Sequence, residues 1–292
     1  MQTTTIDHQA LRQRFNPDGS QLRKHQLRML EILVVIDKIC RKHQIPYWLS
    51  SGTLIGAVRH NGFIPWDDDL DIEMMRNDYL HLLEVLTKEL PDWLALQTDE
   101  TDPNYFFFYA KVRDRRSVLN EGNNYDRMWK EKGIYIDIFP MEEHPIWLHK
   151  LTELSVGHMY KVWRKSKDDA KAIKRVRRIF NFNNRYVFPF LRRFLPSHYS
   201  STQSPPPYGG ARGGSSLHPP HSTLLTSGMG IPYHNPRFAE DIFPLAEHVF
   251  EGYQFPVPHD YDHHLRCIYG DYTQLPDLDA IHPHVNHIEI YD

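Results

Sequence analysis

The stretch Gly52–Met74, GTLIGAVRHNGFIPWDDDLDIEM, decides the fold, because an acidic cluster directly follows a run of apolar, basic and aromatic residues. Within the cluster, Leu70 lies between Asp69 and Asp71, so carboxylates and apolar side chains alternate. Residues two apart on a β-strand point to the same face, which pairs the two aspartates while the leucine enters the core. Neighbouring carboxylates repel each other unless a cation neutralises them. The alternation therefore predicts a strand that holds a hard divalent ion, Mg2+ or alternatively Mn2+.

A second strand with the same alternation is predicted at Gly133–Pro140, GIYIDIFP. Its isoleucines alternate with other residues, so Asp137 faces away from the core. We expect this strand to lie beside the first, where Asp137 completes the carboxylate site. Ahead of the cluster, Gly52 and Thr53 are expected to form a turn that lets phosphate oxygens approach backbone N–H groups near a helix start. A glycine turn with paired aspartates indicates metal-assisted phosphate chemistry.

Composition excludes several classes of protein. The chain has 292 residues, 40% of them hydrophobic, and a formal net charge of -3, which favours a globular protein over one that coats nucleic acid. Its two cysteines make neither a disulfide framework nor a structural zinc site. We see no apolar run long enough to span a bilayer and no signal peptide, so we expect a cytoplasmic protein.

Helical periodicity and strand alternation are mixed along the chain, which predicts an α+β fold. The periodicity predicts an amphipathic helix at Ser20–His43 and another from Asn77 to Leu90, and aromatic enrichment predicts a strand at Tyr105–Val112. A basic segment, Pro145–Leu195, has 13 Lys and Arg against 3 Asp and Glu, hence a charge of +10. We expect it to be helical.

The expected organisation has four parts. Ser204–Ser222 is too rich in proline, glycine and serine to bury a core, and we expect a mobile loop there. The parts are an N-terminal helix and catalytic core at 1–144, a basic helical insert at 145–200, a flexible loop at 201–230, and the C-terminal part of the catalytic domain at 231–292.

Three stretches carry a resemblance to a known family. They are SGTLIGAVRHNGFIPWDDDLDI at Ser51–Ile72, YIDIFP at Tyr135–Pro140, and FEGYQFPVPHDYDHHLRCIYGDYTQLP at Phe250–Pro276. Together they are similar to the LicD family of phosphocholine transferases, which includes the fukutin-related enzymes and belongs to the nucleotidyltransferase superfamily. The resemblance covers roughly residues 44–141 and 231–276, and the basic segment matches no family feature.

The resemblance implies a nucleotidyltransferase-like fold, in which helices flank a mixed β-sheet. It also implies a metal ion at Asp69 and Asp71, with Asp137 as a third ligand or as the general base. It also implies a reaction. Phosphocholine would pass from CDP-choline to a hydroxyl of a cell-surface glycan, such as lipopolysaccharide or teichoic acid.

Five residues are expected to bind the substrate. Gly52 and Thr53 would receive phosphate oxygens, and Arg59 and Lys111 would neutralise the diphosphate. Trp66, just ahead of the aspartates, would offer its ring face to the quaternary ammonium of choline.

Other readings of the same residues are transfer of another CDP-activated alcohol phosphate (ethanolamine, glycerol or ribitol), true nucleotidyl transfer, and a non-catalytic nucleotide-binding or glycolipid-binding protein. The partners expected are a CDP-alcohol and a glycan or lipid-linked glycan, with no nucleic acid. The basic segment, with its interleaved aromatic residues, suggests peripheral contact with the inner face of the membrane.

Overall fold

A computed structural model describes residues 7–120, 125–194, 223–233, 235–281 and 287–291. The α-helices are α1 His8–Phe15, α2 Gln21–His43, α3 Ser51–His60, α4 Arg76–Glu89, α5 Ile146–Lys165, α6 Asp169–Phe182, α7 Phe188–Arg192, α8 Ala239–Ile242 and α9 Tyr261–Tyr269. The strands are β1 Trp48–Leu49, β2 Asp71–Met75, β3 Leu94–Gln97, β4 Ala110–Asp114, β5 Ser117–Asn120, β6 Tyr135–Glu142, β7 Leu224–Ser227, β8 Arg237–Phe238, β9 Ala246–Phe250, β10 Tyr253–Val257 and β11 His287–Ile290. Among the described residues, no helix is both long and apolar enough to cross a membrane.

A mixed sheet forms the centre of the fold, and its strands run in the order β1-β2-β6-β4-β3. Strands β2 and β6 are parallel, and the other pairs in this row are antiparallel. The C-terminal end of β6 also pairs with β7, and β7 pairs in turn with β8. Two smaller pairs, β9 with β10 and β5 with β11, lie outside this sheet. The expected α+β fold with a mixed sheet and flanking helices is confirmed.

The apolar residues predicted to face inward on the two acidic strands lie in the core, although Glu73, Asp137 and Phe139 are buried as well. Leu70 and Ile72 are buried, as are the three isoleucines of the second strand, and all five belong to one hydrophobic core. Helix α2 also packs into this core through residues such as Ile32 and Leu33. It begins where the side chain of Ser20 accepts a hydrogen bond from a backbone N–H, as an N-cap does. The local pattern thus predicted both strands and this helix.

Two local predictions were wrong. The strand expected at Tyr105–Val112 starts only at Ala110, because Phe106 leaves the sheet and packs among the helices α5 and α6. The turn expected at Gly52 is instead the first turn of helix α3, whose positive backbone φ falls on Ser51 at 51°. Gly52 is therefore required for a reason other than a turn.

The basic segment is helical, as expected, and forms helices α5 to α7. They share a second hydrophobic cluster, in which Met159, Trp163 and Val176 surround Phe106. Of the loop expected at 201–230, residues 201–222 lie outside the described part of the chain. The remainder contains strand β7, which pairs with β6 through Met141 and Ser227, so residues 224–227 form a strand where a loop was expected.

Candidate active site

The register of the central strands brings three charged residues together. Asp71 of β2 is the direct neighbour of Asp137 on the parallel strand β6, and Lys111 of β4 is the neighbour of Asp137 on its other side. Adjacent strands lie about 4.8 Å apart, so the three side chains occupy one short row across the sheet. The structure therefore places Asp137 beside Asp71, where the sequence predicted it.

The lysine in this row neutralises only part of the acidic charge. Its Nζ donates to Oδ1 of Asp137 at 2.6 Å, and it lies 3.4 Å from the ring centroid of Tyr135. Burial and the carboxylates of Asp137 and Asp69 hold the pKa of Asp71 well above its usual range, while Lys111 opposes that shift. The protein thus concentrates more negative charge here than its own cations compensate.

The aspartates just before β2 form a second group of carboxylates. Side-chain oxygens of Asp67, Asp68 and Asp69 all lie within 4.8 Å of one another. Burial, with the charges of Asp69 and Asp68, raises the pKa of Asp67 to about 8. Asp67 also explains the glycine at position 52, because a Cβ on Gly52 would lie 2.6 Å from Oδ2 of Asp67.

Thr53 positions the first strand. Its hydroxyl accepts a hydrogen bond of 2.9 Å from the backbone N–H of Asp71, and its side chain is buried. This bond ties the start of helix α3 to the start of β2. Thr53 therefore holds the carboxylate strand in place. It also lines the first of the two cavities described below, and its role in binding substrate stays a prediction.

The residues present fit a divalent cation. Carboxylate oxygens are the ligands that Mg2+ and Mn2+ prefer. Burial first, and repulsion from neighbouring carboxylates second, raise the pKa of Asp71, and a bound cation would favour its ionised form. Asp69, Asp71 and Asp137 would hold the ion, with Asp67 as a further oxygen donor beside them.

The carboxylates lie where two cavities meet. Both cavities are lined by Asp69, Asp71, Pro232 and Tyr233. The first cavity has a volume of ≈ 370 Å³, and the second has a volume of ≈ 310 Å³. The first is lined by Ser51, Gly52, Asp67, Glu73, Arg237 and Tyr269. The second is lined by Lys111 and by the aromatic residues Phe107, Tyr109, Tyr125, Tyr135 and Tyr160.

Two residues predicted to bind substrate line neither cavity. Arg59 donates instead to the backbone carbonyls of Tyr272 and Gln274, which ties helix α3 to the segment after α9. Trp66 packs edge-on against Phe15 of helix α1, with ring centroids 5.2 Å apart. Partners distant in sequence hold both side chains, although Arg59 lies near enough to Asp67 to oppose the rise in the pKa of that carboxyl. The roles of Arg59 and Trp66 in binding substrate stay predictions.

No sequence pattern predicted the aromatic lining of the second cavity, whereas Gly52, Asp69 and Asp71 in the lining of the first cavity were predicted. Phe107 and Tyr109 precede β4, Tyr125 follows β5, and Tyr160 lies on α5, so no local pattern connects them. Arg237 was missed as well. The density of aromatic residues around Tyr105–Tyr109 was the only available signal, and it was interpreted as a strand.

Comparison with known proteins shows the family of the chain. Residues 44–197 match the family model described as the LicD/FKTN/FKRP nucleotidyltransferase domain, and this range includes the basic helices that the resemblance had left out. The lipopolysaccharide cholinephosphotransferase LicD of Haemophilus influenzae is 29% identical over 90% of this chain and 95% of its own.

Shorter similarities reach eukaryotic proteins. Mouse ribitol-5-phosphate transferase FKTN is 38% identical over 33% of this chain and 19% of its own length. Yeast mannosyltransferase regulator 4 is 28% identical over 42% of this chain and 11% of its own. With half of the chain matched by the family model and nearly all of it aligned to LicD, the chain belongs to the LicD/FKTN/FKRP family and is a transferase of the LicD type.

Proposed function

We propose that this protein uses a divalent metal ion to transfer phosphocholine from CDP-choline to a hydroxyl of a cell-surface glycan. The observation that carries the proposal is the pair Asp71 and Asp137 on adjacent parallel strands, at the meeting point of two cavities. The name of the Haemophilus influenzae relative, a lipopolysaccharide cholinephosphotransferase, supports the choice of group and of acceptor.

The bond changes balance without a further reactant. The acceptor oxygen forms a bond to the phosphorus that carries choline, and the P–O bond to CMP breaks. CMP leaves with that electron pair, and the hydroxyl proton passes to a carboxylate of the protein. A bound divalent ion would neutralise charge on the diphosphate and on the departing CMP.

The residues of the cleft divide the remaining tasks. Asp137 either ligates the ion or accepts the proton, and the bond from Lys111 fixes the position of its Oδ1. The first turn of α3, at Ser51 and Gly52, lines one cavity, and backbone N–H groups at a helix start suit phosphate oxygens. Thr53 and Asp67 hold this helix start against β2.

The donor is tested by incubating the purified protein with Mg2+, a glycan acceptor and a panel of CDP-activated alcohols. We expect CMP release from CDP-choline, and an acceptor that gains the mass of phosphocholine. If the protein prefers CDP-ribitol, CDP-glycerol or CDP-ethanolamine, the transferred group is the phosphate of that alcohol instead. The similarity to a ribitol-5-phosphate transferase, FKTN, makes this the alternative to test. An acceptor that gains the nucleotide would indicate nucleotidyl transfer, and no CMP release from any donor would indicate a binding protein.

The basic helices are proposed to bring the enzyme to a lipid-linked acceptor. The segment 145–195 carries a charge of +10, and α7 exposes Phe190 and, just beyond its end, Phe194. A helical surface with cations and exposed aromatic rings suits an anionic membrane interface, where each basic residue contributes about 1 kcal/mol. Peripheral attachment to the inner face of the membrane, in a cytoplasmic protein, follows from this proposal.

A further inference from the structure

The second cavity beside the carboxylates is unusually rich in aromatic residues. Of its eleven lining residues, six are aromatic, four are charged and one is proline. Elsewhere in the described structure, many aromatic rings are fully buried, as Phe250 and Phe255 are. Here Phe107, Tyr125 and Tyr160 are only partly buried, so their rings border open space.

We infer that this aromatic cavity holds the trimethylammonium group of the donor while the diphosphate lies at the shared carboxylates. The inference rests on the proposed transfer of phosphocholine and adds the residues that would select choline over ethanolamine. A quaternary ammonium cannot donate a hydrogen bond, so ring faces and exclusion of water must recognise it.

The rings form a continuous wall. The Phe107 centroid lies 5.7 Å from that of Tyr125 and 5.9 Å from that of Tyr160, and these two tyrosines are 6.1 Å apart. On the other side, Phe107 stacks on Tyr109 with an interplanar angle of 11°. The wall reaches the sheet there, because Tyr109 immediately precedes β4.

The cavity already accommodates a cation. The ammonium of Lys111 lies 3.4 Å from the ring centroid of Tyr135 and 5.5 Å from that of Tyr109, within the range of a cation–π contact. Asp137 neutralises this lysine at 2.6 Å. A ligand ammonium would therefore meet aromatic faces next to two more carboxylates, Asp69 and Asp71, and the local charge attracts it.

The position of the cavity matches the shape of the donor. Asp69 and Asp71 line both cavities, so a phosphate held there has the aromatic wall on one side and the start of helix α3 on the other. Choline joins its nitrogen to phosphate through two carbons, which keeps the ammonium close to the diphosphate. The nucleoside then belongs in the first cavity, beside Arg237 and Tyr269.

This arrangement gives helix α5 a part in selecting the donor. Tyr160 lies on α5, within the basic helical segment, and lines the cavity together with residues of the central sheet. Removing its ring while keeping an apolar side chain should weaken recognition of the ammonium without emptying the space. Tyr160→Leu and, independently, Tyr125→Leu are therefore the informative variants. Tyr160→Phe, which keeps the ring, is the conservative control.

The experiment compares kcat/KM for CDP-choline and CDP-ethanolamine, measured by CMP release with Mg2+ present. We expect both leucine variants to raise KM for CDP-choline about tenfold, with a smaller change in kcat. The ratio of kcat/KM for CDP-choline to kcat/KM for CDP-ethanolamine should therefore fall. Tyr160→Phe should retain the preference. Tyr253→Leu, on the exposed hairpin of β9 and β10, should match the wild type. The inference would be overturned if the leucine variants fold and keep the wild-type ratio of kcat/KM for the two donors. It would also be overturned if kcat/KM falls by the same factor for CDP-choline and CDP-ethanolamine.

A binding measurement separates this inference from the proposed reaction. Calorimetric titration with phosphocholine and with phosphoethanolamine should show tighter binding of phosphocholine to the wild type, and loss of that difference in Tyr160→Leu. A wild type that prefers phosphocholine but releases no CMP from CDP-choline would contradict the proposed reaction and still support the aromatic cavity as the site of the trimethylammonium group. A wild type that turns over CDP-choline but binds phosphocholine and phosphoethanolamine equally would contradict the assignment of the aromatic cavity to the trimethylammonium group.

Discussion

Gly52 lies in the first turn of α3, where a methyl group would meet Oδ2 of Asp67 at 2.6 Å. We predict that Gly52→Ala lowers kcat/KM at least tenfold, because the carboxylate must move away from the helix start. The fold should persist, since the displaced atom ends a flexible side chain and alanine favours a helix over glycine by about 1 kcal/mol. Steady-state CMP release and thermal unfolding measure the two effects.

Gly157 supplies the matched control for this substitution. It lies within helix α5, and a Cβ there would meet nothing within 4 Å. Gly157→Ala should leave kcat/KM unchanged and raise the unfolding temperature slightly. Wild-type activity in a folded Gly52→Ala variant would show that the position of Asp67 does not matter to the reaction.

At this scale the sequence predicted the carboxylates better than the other residues of the site. That Asp71 and Asp137 lie side by side could be predicted because strand alternation determines which face a side chain occupies, and the strand register confirms it. The role of Asp69, Asp71 and Asp137 as metal ligands stays a prediction. The roles expected for Arg59 and Trp66 depended on contacts with distant segments, which no local pattern reports. The structure satisfies Arg59 with two backbone carbonyls and packs Trp66 against helix α1.

Among the elements, a buried ion pair fastens β8 to the central sheet. Arg237 of β8 contacts both carboxylate oxygens of Glu73 on β2, and the indole N–H of Trp48 on β1 donates to the same carboxylate at 3.1 Å. Glu73 and Arg237 are both buried. Breaking such a pair leaves an uncompensated charge in the interior, at a cost of about 3 to 5 kcal/mol.

We therefore predict that Arg237→Met lowers the free energy of unfolding by about 3 to 5 kcal/mol. Adding Glu73→Gln should recover much of that loss, because the amide is neutral and still accepts the hydrogen bond from Trp48. Urea unfolding of the two single variants and the double variant measures the coupling. Strictly additive losses would mean that the two side chains stabilise the fold independently.

The elements also show where prediction from sequence ended. Alternation and helical periodicity predicted the bounds of β6, α2 and α4 to within about two residues, and they placed β2 at the aspartates. The sequence predicted that β2 and β6 are neighbours, but not which of their residues pair. The strand predicted at Tyr105–Val112 begins only at Ala110. Aromatic residues suit a strand and a helix interface equally, and here Phe106 packs against the helices.

Across the whole molecule, the basic helices provide the surface proposed to meet the membrane. Phe190 and Phe194 are 58% and 71% exposed, and their ring centroids are 5.0 Å apart. We predict that the wild type cosediments with vesicles containing anionic phosphatidylglycerol and is released by high salt. Replacing both phenylalanines by serine should weaken this binding at least tenfold.

The control for vesicle binding is Tyr253→Ser, at a similarly exposed aromatic residue outside the basic segment. It should bind vesicles as the wild type does. Equal binding to neutral and anionic vesicles, or no effect of the double serine variant, would rule out this surface as the contact.

The division of the chain into four parts stays a prediction, although the family match across 44–197 spans the boundary drawn at residue 144.

The central claim is that the crowded carboxylates of β2 and β6 support metal-dependent transfer of phosphocholine. The most direct measurement is CMP release from CDP-choline by the wild type and by Asp71→Asn, each with Mg2+ and with EDTA. We predict that Asp71→Asn lowers turnover by a factor of about 100 or more and unfolds at no lower temperature, because the amide relieves carboxylate repulsion. The wild type in EDTA should be equally inactive, and Asp279→Asn, an exposed control, should be fully active. A folded Asp71→Asn variant that releases CMP at nearly the wild-type rate, or undiminished turnover in EDTA, would contradict the account.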